Sequence, residues 1–106
     1  MLYTGKVLLT NEWEKLEDLI QEQVSGQSSF AFDADTTYLL QGEGVEAVRL
    51  CDASAEPTDD MAGLRIEGTQ IIEYKPSAGT LYARCDLTQK TGNTNFGKIY
   101  LKICEK

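Results

Sequence analysis

The side chains able to do chemistry in this 106-residue chain are carboxylates, thiols and aromatic rings, and there is no histidine. That absence removes the commonest general base, the usual Ser/His and Cys/His nucleophile pairs and the commonest transition-metal ligand. Carboxylates gather at Asp33/Asp35 and again at Asp52, Glu56, Asp59 and Asp60. Loop carboxylates can hold calcium, but neither group has the alternating oxygens, glycine and closing glutamate of an EF-hand. Asp residues in such stretches favour turns, and turn formation is the expected role. A glycosidase pair needs two acids facing across a cleft, for which a small sandwich has little room. Cys51, Cys85 and Cys104 show neither CxxC nor zinc spacing, so they read as small hydrophobes or weakly exposed thiols, with a single bridge left open. Gly42-Glu43-Gly44 lacks the strand-to-helix setting and the lysine of a phosphate loop. The residues thus offer no catalytic, cofactor-binding or metal-binding set.

The aromatic residues are the remaining candidates. Trp13, Tyr38, Tyr74, Tyr82 and Tyr100 could line a sugar-binding face, since rings stack on apolar ligand surfaces while their polar tips hydrogen-bond. Trp13 is expected instead to pack a helix on a sheet. Tyr82 and Tyr100 alternate with the apolar residues of their strands, which places them outward, where exposed aromatics mark protein interfaces.

These residues must be positioned by strands. Thr37 to Cys51 carries two runs rich in Tyr, Leu and Val on either side of Gln41-Gly42-Glu43-Gly44, the pattern of an antiparallel hairpin with a glycine turn. Upstream, Gly5 to Thr10 reads as an opening strand. Asn11 and Glu14 read as a capping box for a helix of about three turns, whose stripe is Trp13, Leu16, Leu19, Ile20 and Val24. Ser25 to Ser29 ends that helix. Phe30 and Phe32 share a face, and Asp33 to Asp35 turns the chain. Cys51 to Gly63 is the longest loop. Leu64 to Glu67 and Gln70 to Lys75 are short strands around a turn at Gly68-Thr69. Thr80 to Leu87 points Leu81, Ala83, Cys85 and Leu87 one way and Tyr82, Arg84 and Asp86 the other. After a polar turn at Gln89 to Asn95, Lys98 to Cys104 turns Ile99, Leu101 and Ile103 inward. The expected fold is mainly β: a two-sheet antiparallel sandwich or jelly-roll-like barrel with one short N-terminal helix. It is a single domain, 1–106, in which residues 1–28 form the opening strand and helix and 29–106 the sandwich.

A net charge of −7 and ten scattered basic residues argue against nucleic acid as a partner. No apolar run is long enough to span a membrane, and the first residues lack a signal-peptide pattern, so synthesis and first folding are expected in a cytosol.

Three stretches together resemble the small β-sandwich virion proteins of tailed bacteriophages. They are Phe32-Asp-Ala-Asp-Thr-Thr-Tyr-Leu-Leu-Gln41, Val48-Arg-Leu-Cys-Asp-Ala-Ser-Ala-Glu-Pro-Thr58, and Tyr74-Lys75 followed by Ala78-Gly-Thr-Leu-Tyr-Ala-Arg84. Gly63 and the lead-in Trp13-Glu-Lys-Leu-Glu17 fit as well, and the resemblance spans about residues 30 to 103. It implies capsid decoration, head-fibre or tail-associated proteins, made in the bacterial cytoplasm and located in the virion. It carries no catalytic residue. The expectation is an auxiliary decoration protein on the capsid exterior, a homo-oligomer with a trimer favoured, whose partners are the major capsid protein or other virion proteins. Its interface residues would be Leu2 and Tyr3, Glu56, Pro57 and Thr58, and the outward pairs Tyr82/Arg84 and Tyr100/Lys102. The alternative is a receptor- or glycan-binding module on a tail or fibre. An enzyme with an unfamiliar site is a third, weaker reading.

Overall fold

The computed structural model describes residues 2–43, 47–67, 69–86 and 99–106. Its elements, in chain order, are β1 (Leu2–Leu9), β2 (Glu14–Lys15), α1 (Leu16–Gln23), β3 (Tyr38–Glu43), β4 (Ala47–Ala53), β5 (Leu64–Ile66), β6 (Ile71–Tyr74), β7 (Thr80–Asp86) and β8 (Ile99–Glu105). The strands form two four-stranded sheets, ordered β1-β8-β3-β6 and β2-β7-β4-β5. Every pairing is antiparallel. First strand beside last and third beside sixth in one layer, second beside seventh and fourth beside fifth in the other, is jelly-roll connectivity, two interlocked Greek keys. The fold is therefore the expected two-sheet β-sandwich with one short helix.

Val7, Leu9, Leu40, Leu101 and Ile103 from the first sheet meet Val48, Leu50, Ile66, Leu81 and Cys85 from the second, and all are buried. Burying each large aliphatic side chain contributes about 1.5–3 kcal/mol, so this inner layer dominates the stability. The inward residues expected on β7 and β8 are confirmed at Leu81, Ala83, Cys85, Leu101 and Ile103. Leu87, Lys98 and the Gln89 to Asn95 turn lie outside the described residues, as do Gly44 and Gly68.

Two expectations need correction. Residues 37–51 do not form a hairpin: β3 belongs to the first sheet and β4 to the second. Gly42 lies within β3, opposite Leu101 of β8, rather than in a turn. Two β-type runs separated by glycine can fold back in one plane or step across to the facing layer. Here the unpaired edges of β8 and β7 take β3 and β4 separately.

The helix also starts later than its capping signals imply. Glu14 and Lys15 pair with Ala83 and Tyr82 of β7. Lys15 occupies the cap position in an extended conformation without a side-chain cap. Asn11 caps nothing. Instead the Thr10 hydroxyl accepts from the Glu12 N–H and donates to the Glu14 carboxylate. Strand pairing at Glu14 displaces the first turn, leaving eight residues, about two turns, of helix. The stripe of Leu16, Leu19 and Ile20 is buried as expected.

The helix ties down its surroundings through polar side chains. Gln23 Oε1 accepts from the Leu8 N–H at 2.7 Å and its Nε2 donates to the Leu8 carbonyl at 3.1 Å. This amide imitates a neighbouring strand and covers part of the free edge of β1, an otherwise open template for pairing. Glu17 accepts from the Phe32 N–H, and Gln21 donates to the Phe30 carbonyl. These bonds seat Phe30 and Phe32 in an edge-to-face cluster with Tyr38 and Tyr74.

Candidate interaction surfaces

Strand alternation sends Arg84 of β7, Arg49 of β4 and Arg65 of β5 to the outer face of the second sheet. Register pairs Arg84 with Arg49 and Arg49 with Arg65. Three guanidinium groups therefore stand in one row across three strands, where like charges directly opposite one another destabilise a sheet. Asp86 offsets part of this charge. One of its oxygens accepts from Arg49 Nε at 3.0 Å and from Arg65 Nε at 2.8 Å. Arg65 also pairs with Glu67, which raises its pKa.

The remaining donors grip the loop of residues 54–63, which folds back over this face. Trp13 Nε1 donates to the Asp59 carbonyl, Arg84 Nη1 to the Asp60 carbonyl and Arg49 Nη1 to the Met61 carbonyl, at 3.1, 2.9 and 2.9 Å. Three consecutive main-chain acceptors are thus held by three side chains. Arg84 additionally donates Nε and Nη2 to the Asn11 carbonyl. Within the loop, Asp59 accepts from the Met61 N–H, and the Ala62 N–H donates to the Asp59 carbonyl. Gly63 closes the loop at φ +74°, with the Leu50 carbonyl 2.1 Å from where a Cβ would stand. Hydrogen bonds to charged donors are worth about 1.5–3 kcal/mol each, so the loop is held far more firmly than a solvated connection. The Met61 side chain projects from it, 64% exposed.

The interface residues expected from the sequence separate into two regions. Tyr82 and Arg84, expected outward and accessible, are buried at 5% and 8% exposure, and Asp86 at 5%. That expectation is corrected: the core covers one side of β7, and on the other Trp13 and the loop lie over Arg84. Glu56 and Thr58 are exposed on the covering loop, with Pro57 half-buried between them. Tyr3, Tyr100 and Lys102 lie across the molecule on the outer face of the first sheet. Register places Tyr3 beside Cys104, Lys6 beside Lys102 and Leu8 beside Tyr100. Leu2 is exposed at the end of β1, opposite Glu105, and points to the other side from Tyr3.

The first sheet's outer face is partly ordered by charge. The Glu43 carboxylate bridges Lys102 at 2.9 Å and Lys6 at 3.4 Å. The hydrogen bond from Lys102 draws the Glu43 pKa down, and the same bond draws that of Lys102 up. Lys6 Nζ sits 4.6 Å from the Tyr100 ring centroid. Around this group Tyr3, Tyr100 and Ile71 remain exposed.

A cleft of about 770 Å³ opens between the loop and the segment 11–13, with Trp13, Arg84, Glu12, Glu56 and Asp60 among its lining residues. An apolar recess of about 340 Å³ lies between the edge strands β5 and β6. Cys51, Cys85 and Cys104 are not joined in disulfides. Among the described residues no group of carboxylates and thiols is arranged to hold a metal. No helix among them is long and apolar enough to cross a membrane. No family model matches the chain, and neither a curated protein nor a solved structure matches it.

The row of arginines, the carboxylate beneath it and the role of Trp13 did not emerge from sequence reasoning. A usable signal was present: arginines on three apolar strand runs, with a single Asp on the same face of one of them. Its meaning depends on the register between strands distant in sequence, which local pattern does not contain.

Proposed function

We propose that the chain is a non-enzymatic bacteriophage virion component, an auxiliary decoration protein that docks on the capsid exterior as a homo-oligomer. The observation that carries this reading is the loop of residues 54–63, held by Trp13, Arg84 and Arg49 through three successive carbonyls. A surface ordered before it meets its partner avoids much of the entropy cost of binding. This one presents Met61, Glu56 and Thr58 from a rigid base. The open face of the first sheet, with Tyr3, Tyr100 and Ile71, supplies a second surface on the opposite side. Two opposed surfaces suit a module that contacts both copies of itself and a shell protein. The jelly-roll connectivity and the resemblance of residues 30 to 103 to phage virion proteins support the same assignment.

The tail- or fibre-associated sugar-binding reading is less well served. Stacking on a sugar needs an open ring face, whereas Tyr82 is buried and Trp13 is 8% exposed with its N–H committed to the loop. Quantitative mass spectrometry of purified particles tests the proposal. Hundreds of copies per particle are expected; about a dozen or fewer would move the chain to the tail or portal, and none would overturn the virion assignment.

A further inference from the structure

We propose that the outer face of the first sheet is where two copies of this chain meet, face to face about a two-fold axis parallel to the strands. This names the partner of one of the two surfaces in the reading above, and rests on that reading only for the particle setting. Register divides the charge of the face into halves. β1 and β8 carry Lys6 and Lys102, with Lys106 following β8, whereas β3 and β6 carry Glu43 and Glu73. Within one copy these groups are already paired: Glu43 with Lys102 at 2.9 Å and Lys6 at 3.4 Å, Glu73 with Lys106 at 2.8 Å. Covering the face therefore strands no charge. Three lysines against two glutamates leave it at +1, while the whole chain stands at −7.

The occupant follows from that division. A two-fold rotation about the strand direction lays β1 and β8 of one copy over β6 and β3 of the other, by the strand order β1-β8-β3-β6. The lysine half then meets the glutamate half, and symmetry repeats the contact. The rotation preserves position along the strands. Tyr3, in one row with Glu73, thus lies opposite Glu73 of the second copy, and Tyr100, in one row with Glu43, opposite its Glu43. Each phenol can donate to the carboxylate it faces. Tyr3, Tyr100 and Ile71, 57%, 37% and 58% exposed, supply apolar area to bury. Other surfaces would repel a second copy: α1 carries Glu17, Asp18 and Glu22, and the loop of residues 54–63 carries Glu56, Asp59 and Asp60, both without a basic residue. A strongly acidic or basic partner gains little from a face so nearly neutral. Four strands with about six residues each cover on the order of 400 Å² per copy, half of the roughly 800 Å² per partner in a standard interface. The pair is accordingly reversible and concentration-dependent.

Sedimentation equilibrium of the intact protein, up to about millimolar concentration, tests this, and a monomer–dimer equilibrium is expected. Lys6 of one copy faces β6 of the other, one row or about 7 Å from Glu73, within reach of a lysine side chain. Lys6→Glu and Glu73→Lys, each alone, therefore set like charges across the axis and should weaken the dimer at least fivefold, the second even though it lowers the net charge. An equimolar mixture of the two variants should restore a dimer within twofold of the unaltered affinity, because each altered side chain finds its opposite in the other variant. That recovery also shows both variants to be folded. Glu22→Lys makes the same charge change on α1 and should not weaken the dimer. A monomer at every concentration, a trimer, single variants that pair as tightly as the unaltered chain, or a mixture no tighter than its components would overturn the assignment. Particle occupancy by a chain that stays monomeric sinks this inference alone; a dimer formed by a chain missing from particles sinks the virion reading alone.

Discussion

Replacing Asp86 with asparagine removes the negative charge that two arginines share while leaving the shape of the side chain nearly unchanged. The Asp86 side chain is 6% exposed, that of Arg49 9% and that of Arg65 28%. Arg65 can turn to Glu67 and to water, so its loss is small. Arg49 cannot; it stays buried in register between two other guanidinium groups. Removing one partner of a buried pair costs about 3–5 kcal/mol. Because asparagine still offers one acceptor oxygen, about 3 kcal/mol is expected for Asp86→Asn. For a domain of roughly 100 residues each kcal/mol moves Tm by about 4–8 °C, so the midpoint should fall by roughly 12–24 °C. Urea unfolding followed by circular dichroism measures the change at constant slope. Adding Arg49→Met to Asp86→Asn removes the stranded charge and should recover at least about 1 kcal/mol, a coupling that a double-mutant cycle isolates. A cost below about 1 kcal/mol for Asp86→Asn, or strictly additive effects in the cycle, would refute the view that this carboxylate holds the arginine row together.

Other consequences follow from individual contacts. Gly63→Ala drives a Cβ into the Leu50 carbonyl at φ +74°; it should cost at least roughly 2 kcal/mol by urea unfolding. Gly26→Ala, at φ +81° with nothing within 4 Å, carries the backbone strain alone and should cost less. Gln23→Ala uncovers the β1 edge at Leu8, with an expected loss of about 1 kcal/mol and increased self-association in sedimentation velocity. The Tyr74 phenol, held protonated first by burial and then by the charges of Asp52 and Glu17, has its pKa pushed up to about 12. Its folded-state pKa lies above the unfolded value, so its contribution is complete below about pH 10 and is lost as pH rises towards 12. Absorbance titration near 295 nm should show a late ionisation that disappears in Tyr74→Phe.

What could be read from the chain depended on whether one local period decided the outcome. The inner faces of β7 and β8 were legible because Leu81, Ala83 and Cys85, and likewise Leu101 and Ile103, repeat every second residue against a polar partner set. The helical stripe of Leu16, Leu19 and Ile20 was legible for the same reason, with a period of three and four. The destination of β4 after β3 was not, since a chain that crosses to the facing layer and one that turns back as a hairpin can share one composition. The burial of Tyr82, Arg84 and Asp86 was hidden too. Alternation says which side of a strand a residue takes, and only the path of the loop from 54 to 63 says whether that side meets water. Of the proposed surface, Glu56, Pro57 and Thr58 lie in the loop where the sequence placed them; Trp13, Arg49 and Met61, which fix or crown that loop, required the fold.

The central claim is that the loop over the second sheet is rigid before any partner arrives. Backbone ¹⁵N relaxation of the free protein tests it most directly, on the amides of residues 56–63. Order parameters of about 0.85, equal to those of the strands, are predicted, falling in Arg84→Met; values below about 0.6 in the unaltered protein would contradict the account.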